Sequence, residues 1–346
     1  MSCEHGDASE DPAKEAFLKA PFEYVKRVPG KKIRTKLTEA FNKWLNIDED
    51  VLINITSIVE SLHNASLLVD DIEDDSLLRR GKPVAHKIYG IPRTLNAANY
   101  VYMLSLQECI KMENPKAVEI FAEEMLELHR GQGKEIFWRD TIQCPTEDEY
   151  NQMVLQKTGG LFSLAVRLME LYSKNKFNFK PLIRKLALYF QVRDDYMNLC
   201  SSRYGKEKGF AEDVTEGKFS LPVIFALRDH INAAAPFRDD EVLVSSLLFK
   251  HLIEEMTTYY LLRVSLGILQ QRPTNYEVKA YFVNLLRERG SLKKTMDRIQ
   301  YYYQEVIDET AVFGGNDKLI EVLENLHNAL KSVAIEEEKL LHQEGH

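Results

Sequence analysis

From Val51 to Asp75 the chain reads VLINITSIVESLHNASLLVDDIEDD, an apolar run of roughly five helical turns that ends in a cluster of carboxylates. A helix hydrophobic on nearly every side has no face to turn to water, so it must run through the interior of a larger packing of helices. The carboxylates then sit at the end of a buried element. Asp70 and Asp74 are four residues apart and project from one face, with Asp71 beside them. Like charges at this spacing repel, and the negative end of the helix dipole adds to the cost. A solvated acidic face would account for a lone cluster of this kind. Here, however, a second pair, Asp194 and Asp195, ends another apolar run, ALYFQVRDDYMNL, with Asn198 four residues after Asp194. Two such helices face to face would form a cage of hard oxygen ligands.

Magnesium suits such a cage, because it takes one or two carboxylates per ion and leaves its other octahedral positions to water and phosphate. Calcium is the other candidate, although no D-x-D-x-D-G loop is present. Basic residues answer the need for a phosphate ligand. PGKKIRTK, residues 29–36, opens a helix with Lys31, Lys32 and Arg34, and helix-start N–H groups and arginine forks bind phosphate well. Arg79 and Arg80 follow the first acidic cluster. LQKTGG sets Lys157 and Thr158 before paired glycines that suggest a kink or break in a helix. EDVTEGKFSLP puts Asp213 and Lys218 in a polar loop. Each fragment alone has an ordinary explanation, as an exposed helix start or as neighbours neutralising an acidic run. Together they point to a metal-bound diphosphate.

The remaining sequence predicts an all-α protein. Apolar residues recur at three- and four-residue steps through IRTKLTEAFNKWL, AANYVYMLSLQECIK, AVEIFAEEMLELHRGQG, PLIRKLALYFQVRDDYMNL and most of the last third. Alternating strands, a βαβ rhythm and fixed-period repeats are absent. Breaks are short, at Pro29-Gly30, Gly90-Ile91-Pro92, Cys144-Pro145 and Pro181, so residues 14–346 are expected to form one domain behind a polar tail of residues 1–13. At 45% apolar and 28% charged residues the chain is globular in composition, and its net charge of −8 argues against general nucleic-acid binding. Its four widely spaced cysteines fit reduced thiols. No signal peptide and no stretch long and apolar enough to span a bilayer is recognised, and a cytoplasmic location is expected.

These motifs resemble those of the trans-isoprenyl diphosphate synthases, and in detail the animal and fungal geranylgeranyl diphosphate synthases. The resemblance is carried by PGKKIRTKL, LHNASLLVDDIEDDSLLRRG, PVAHKIYGIP, NAANYVY, LHRGQG, VLQKTGGLF, FQVRDDYMNL and EDVTEGKFS, and resumes at QRPTNYEVKAYFVNLL. It implies a single-domain bundle of antiparallel helices around a central cavity. It also implies a transferase that condenses isopentenyl diphosphate with dimethylallyl, geranyl or farnesyl diphosphate to geranylgeranyl diphosphate, by ionisation, condensation and elimination. Several Mg2+ ions per site and a homodimer or higher homo-oligomer belong to the same implication. Asp70, Asp71 and Asp74 match the first aspartate-rich motif, and Asp194 and Asp195 the second. Asp70, Asp74 and Asp194 would be the Mg2+ ligands, and Lys157 joins the catalytic set. Asn198 stands where many relatives carry a third aspartate, and is a weaker ligand. Lys31, Arg34, His63 and Arg80 match the isopentenyl diphosphate pocket. Arg79, Lys157, Thr158, Gln191, Lys208 and Lys218 match the residues that grip the allylic diphosphate.

An isoprene unit is about as long as one helical turn, roughly 5.4 Å. Four and five residues before Asp70 stand Ser66 and Ala65, both small, where relatives that stop at farnesyl commonly carry aromatics. Elongation to the C20 product is therefore expected. Tyr100, Tyr102 and His129 are candidates for a lower floor, with ordinary core aromatics and a hydrogen-bonded buried histidine as the alternative. Residues 231–266 form an expected helical insertion with no chemistry assigned. Three other readings stay open: a C10 or C15 product, a non-catalytic regulatory subunit of the same fold, and a terpene cyclase. Retention of both acidic pairs speaks against the second, and a complete isopentenyl set against the third.

Overall fold

Asp11 accepts from the Ala13 N–H and starts α1 (Pro12–Lys26), so the expected tail gives way to helix by Pro12. The computed structural model describes residues 11–28, 30, 32–201, 209–234 and 262–344. After α1 come α2 (Ile33–Leu45) and α3 (Glu49–Glu73), then a hairpin of β1 (Leu78–Arg79) and β2 (Lys82–Pro83). The chain continues as α4 (Ala85–Tyr89), α5 (Ile91–Lys111), α6 (Pro115–Thr141), α7 (Glu147–Tyr172) and α8 (Lys180–Cys200). It closes with α9 (Glu212–Glu216), α10 (Leu221–Ala234), α11 (Tyr276–Glu288), α12 (Ser291–Val312) and α13 (Asp317–Glu344). Residues 262–271 are helical as well. The fold is all-α apart from the two-residue strands of the hairpin. Of the expected 231–266 insertion, residues 235–261 lie outside the described residues.

Helix α3 is the axis of the molecule and packs against α1, α2, α4, α5 and α7. Its fully buried stripe, Ile55, Ile58, Val59, Leu62, Ala65, Leu68 and Asp71, steps by three and four residues. Each such leucine contributes about 2 kcal/mol by leaving water. Leu67 and Val69, off that stripe, line a cavity instead. This division explains why α3 is apolar nearly all round: one side is core and the other is a pocket wall. By length and composition alone α3 could cross a membrane, which corrects the expectation that no stretch reaches that length. Here its stripe is buried in the same hydrophobic core as Phe22, Phe179, Val306 and Leu330.

Pro92, Pro115 and Pro181 sit in the first turns of α5, α6 and α8, where a missing N–H costs nothing. The paired glycines of LQKTGG do not break their helix. α7 runs unbroken from Glu147 to Tyr172. A Cβ on Gly159 would lie 3.4 Å from Ala187 Cβ, and one on Gly160 would lie 3.4 Å from Glu124 O. The glycines let α8 and α6 approach α7 closely, which is a packing role rather than a hinge.

Candidate active site

The acidic end of α3 and an acidic turn inside α8, more than one turn before that helix ends at Cys200, face one cavity of about 700 Å³. Asp70 and Asp74 line it from the end of α3, and Asp194 from α8. Its other predicted residues come from distant parts of the chain: Arg34 (α2), His63 and Ser66 (α3), Arg79 and Arg80 (hairpin), Tyr102 (α5) and His129 (α6). Lys157 and Thr158 (α7), Gln191 (α8) and Lys218 (after α9) complete the set. Lys31 and Lys208 lie outside the described residues.

The hairpin turn sorts its two arginines. Leu78 pairs with Pro83 and Arg79 with Lys82, leaving Arg80-Gly81 as a two-residue connection in which both φ angles are positive (54° and 74°). Gly81 suits that geometry, as in primed hairpin turns. Arg79, on the strand, reaches back to α3: Nε donates to Asp71 at 2.8 Å and Nη2 to Asp70 at 3.1 Å. Burial works against the Arg79 charge, but Asp71 and Asp70 outweigh it and raise its pKa. Arg80 turns the other way, donating to Val28 O. A Cβ on Gly30 would lie 2.9 Å from Arg80 Nη2, so glycine is what admits the guanidinium there.

On the acidic side the carboxylates and lysines interlock. Lys157 Nζ lies 3.4 Å from Asp70 Oδ1 and is also paired with Glu135, which Lys218 approaches at 3.3 Å. Burial opposes the charge on Lys157, yet Glu135 and Asp70 hold its pKa above the usual lysine range. Burial likewise opposes Glu135, but Lys157 and Lys218 keep its carboxyl low. Asp74 is different: burial, then Asp70 and Glu216, push its carboxyl well above the usual range. Its partner Arg139, 3.0 Å away, does not offset that crowding. On the opposite wall cations crowd one another. Burial and the nearby Arg80 lower Arg34 to about 10, and Asp194 only partly compensates. Burial, then Arg34, Arg80 and Arg79, depress His63 well below the ordinary imidazole range, so it is neutral at neutral pH.

Mg2+ fits the carboxylates present. Among the described residues no three His, Cys, Asp or Glu side chains converge closely enough to hold an ion by themselves. Magnesium needs only one or two carboxylates with water and phosphate, and a dication would relieve the repulsion between Asp70 and Asp74.

Not every predicted residue reaches the cavity. Asp71 is buried beneath Arg79 rather than exposed to the pocket. Asp195 is buried behind Asp194 and accepts from Tyr150 Oη (2.6 Å), the Leu221 N–H (2.8 Å) and Gln191 Nε2 (2.8 Å). Both therefore orient other groups. Asn198 is buried and its Oδ1 accepts from the Asp213 N–H at 3.0 Å, tying α8 to α9. Ala65 belongs to the core and does not line the cavity, a departure from the expectation that the tail passes it. Ser66 does line it. Tyr100 donates to Glu15 of α1 at 2.7 Å and lies outside the lining, whereas Tyr102 and His129 meet edge to face at 6.1 Å in the cavity floor.

Several site residues went unrecognised in the sequence: Glu73, Gln132, Glu135, Arg139, Tyr150 and Glu216. A signal existed for two of them. Glu135 and Arg139 continue at four-residue steps from Gly131, so charged residues occupy the buried stripe of α6.

Comparison with known proteins gives a consistent result. The sequence model described as polyprenyl synthetase matches residues 15–239. A geranylgeranyl pyrophosphate synthase of Mucor circinelloides f. lusitanicus is 43% identical over 92% of this chain and 95% of its own length. A geranylgeranyl pyrophosphate synthase of Dictyostelium discoideum is 40% identical over 89% of this chain and 92% of its own. A protein of Matsumurasca onukii named terpene synthase is 46% identical over 90% of this chain and 93% of its own. The chain belongs to the polyprenyl synthetase family.

Proposed function

We propose that this protein is a Mg2+-dependent prenyltransferase that condenses isopentenyl diphosphate with dimethylallyl, geranyl and farnesyl diphosphates to geranylgeranyl diphosphate. One observation carries the reading: a single cavity joins a carboxylate-rich wall to a cation-rich wall and continues into an apolar floor. Two diphosphates and a growing hydrocarbon tail are the ligands such walls suit. Bound Mg2+ would supply Lewis-acid stabilisation of the departing diphosphate, with Asp70, Asp74 and Asp194 as its protein ligands.

The chain's own residues supply the rest. Arg79, Lys157, Thr158, Gln191 and Lys218 grip the allylic diphosphate, and Lys157 stabilises the charge that develops on it as the C–O bond ionises. Lys208 belongs to the same set by resemblance, and Lys31 to the isopentenyl set. Arg34, His63 and Arg80 hold the isopentenyl diphosphate, whose negative charge relieves the repulsion between the two guanidiniums. The isopentenyl double bond then attacks the allylic cation, and the departed diphosphate takes the proton that the resulting carbocation loses as the new double bond forms. Leu67, Leu128, Leu161 and Phe162 line the cavity with apolar surface that keeps water from the cation. The tail runs past Ser66 toward Tyr102 and His129.

The free thiols of Cys109 and Cys144 support a cytoplasmic location. Exposed Leu95 and Met103 on α5 and Leu126 and Phe137 on α6, helices that pack side by side, support a homo-oligomer. A second reading, a terpene synthase, is favoured by the name of the Matsumurasca onukii relative. Incubation with Mg2+, labelled isopentenyl diphosphate and C5, C10 or C15 primers, with product chromatography, distinguishes them. A C20 diphosphate is expected, and chelation of Mg2+ abolishes it. Accumulation of C10 or C15 diphosphate would shorten the assignment. Hydrocarbon formed without isopentenyl diphosphate would favour the second reading, and no product from any primer a regulatory role.

A further inference from the structure

Arg139 on α6 is buried and reaches the last turn of α3, although it does not line the cavity. Its Nη1 donates to Glu73 O and to Asp74 Oδ1, both at 3.0 Å. Its Nε donates to Asp140 at 2.9 Å, and Asp140 also accepts from Arg272 Nη2 at 3.0 Å. The place is chemically particular. A helix C-terminus leaves carbonyls without intrahelical donors and carries the negative end of the dipole, so a cation there is favoured. Asp74 is the residue that caps α3, its backbone N–H donating to Asp70 O and Ile72 O at the end of that helix. Its carboxylate faces Asp70 and Glu216, which repel it.

We propose that Arg139 is a positioning residue for Asp74. It locks the final turn of α3 so that Asp74 faces the same cavity as Asp70, and it holds the carboxylate in place until a dication is bound. Arg139 makes no contact with substrate in this scheme; it acts through Asp74. The planar fork matters, because one guanidinium serves Glu73 O, Asp74 and Asp140 together, which a lysine ammonium cannot do in the same geometry. The inference rests on the metal-diphosphate reading of the cavity.

The test uses the full chain with Mg2+ and inorganic pyrophosphate as probe, read by thermal shift, beside steady-state activity as a function of Mg2+ concentration. In Arg139→Gln the Mg2+ concentration for half-maximal thermal shift and for half-maximal activity should both rise about tenfold or more, while kcat at saturating Mg2+ changes far less. Arg139→Lys should fall between, and it decides the matter by the same comparison if Arg139→Gln does not fold. A merely structural role would lower the melting temperature of the ligand-free variant and leave both Mg2+ half-saturations where they were; that result overturns the proposal. If the unsubstituted protein shows no shift with Mg2+ and pyrophosphate, the diphosphate reading of the cavity fails first, and this inference with it.

Discussion

Lys157 shows how much one side chain's role depends on its surroundings. A lysine in an amphipathic helix is usually solvated, yet this one is drawn between Asp70 and Glu135 and kept charged despite burial. Lys157→Ala should lower kcat/KM by about a hundredfold or more, as loss of a preorganised cation at a developing charge does. Steady-state assays of the variant check this, with circular dichroism to confirm the fold. His327 on α13 carries a different consequence. It is buried and stacked on Tyr303 at 4.1 Å, and neither ring nitrogen has a hydrogen-bond partner among the described residues. Burial, then Lys331 and Arg193, lower its pKa, so the folded protein keeps it neutral where the unfolded chain protonates it. Below about pH 6.5 the unfolded state binds the extra proton, so this contribution is fully present above that pH and lost as pH falls below it. Melting temperatures of the protein and of His327→Phe, compared from pH 7.5 down to 5.5, should converge on a smaller acid-side loss in the variant. Equal losses would remove His327 from the account.

At the scale of elements, close helix approach sets the site. A Cβ on Gly131 would meet Lys157 N at 2.6 Å and Gln156 Cβ at 2.9 Å, so α6 and α7 touch backbone to backbone where Lys157 leaves its helix. Gly131→Ala should cost about 1–3 kcal/mol through forced separation of the helices and displace Lys157 as well. Gly133→Ala meets nothing within 4 Å and should instead gain up to about 1 kcal/mol from helix propensity. Denaturant melts of the pair, read beside their activities, check both signs. The wall of α3 makes a second contrast. Ser66 lines the cavity while Ala65, its neighbour, is fully buried in the core. Ser66→Phe should shorten the main product toward C15 with the protein still folded, whereas Ala65→Phe should lose soluble protein through overpacking. Product chromatography and soluble yield separate them, and an unchanged product from Ser66→Phe would move the tail off this wall.

For the whole molecule, the exposed apolar residues of α5 and α6 form a surface in need of cover. Met103→Glu with Phe137→Glu should reduce the mass in sedimentation equilibrium to that of one chain, and an unchanged mass would put the subunit contact elsewhere. Much of this molecule was legible without coordinates. The all-α fold, the buried α3 and the two acidic pairs on helices follow from local periodicity, because a helix that is apolar nearly all round admits few surroundings. The cations were legible as fragments. What tied Arg34, Lys157 and Lys218 to one cavity was the resemblance, since no local spacing relates residues that stand far apart in the chain.

The sequence by itself determined which segments are helices, that two of them carry acidic pairs after an apolar run, and that small residues stand one turn above the first cluster. Only the tertiary structure decided which members of each cluster do what. Successive residues on a helix are turned by about 100°, so of Asp70 and Asp71, or of Ser66 and Ala65, one can line the cavity while its neighbour is buried in the core. Packing against α5, α7 and the hairpin chose which of each pair looks into the cavity and which into the core. The same packing brought Glu135 and Arg139 to the end of α3, charges whose purpose becomes visible only when the helix they serve is beside them.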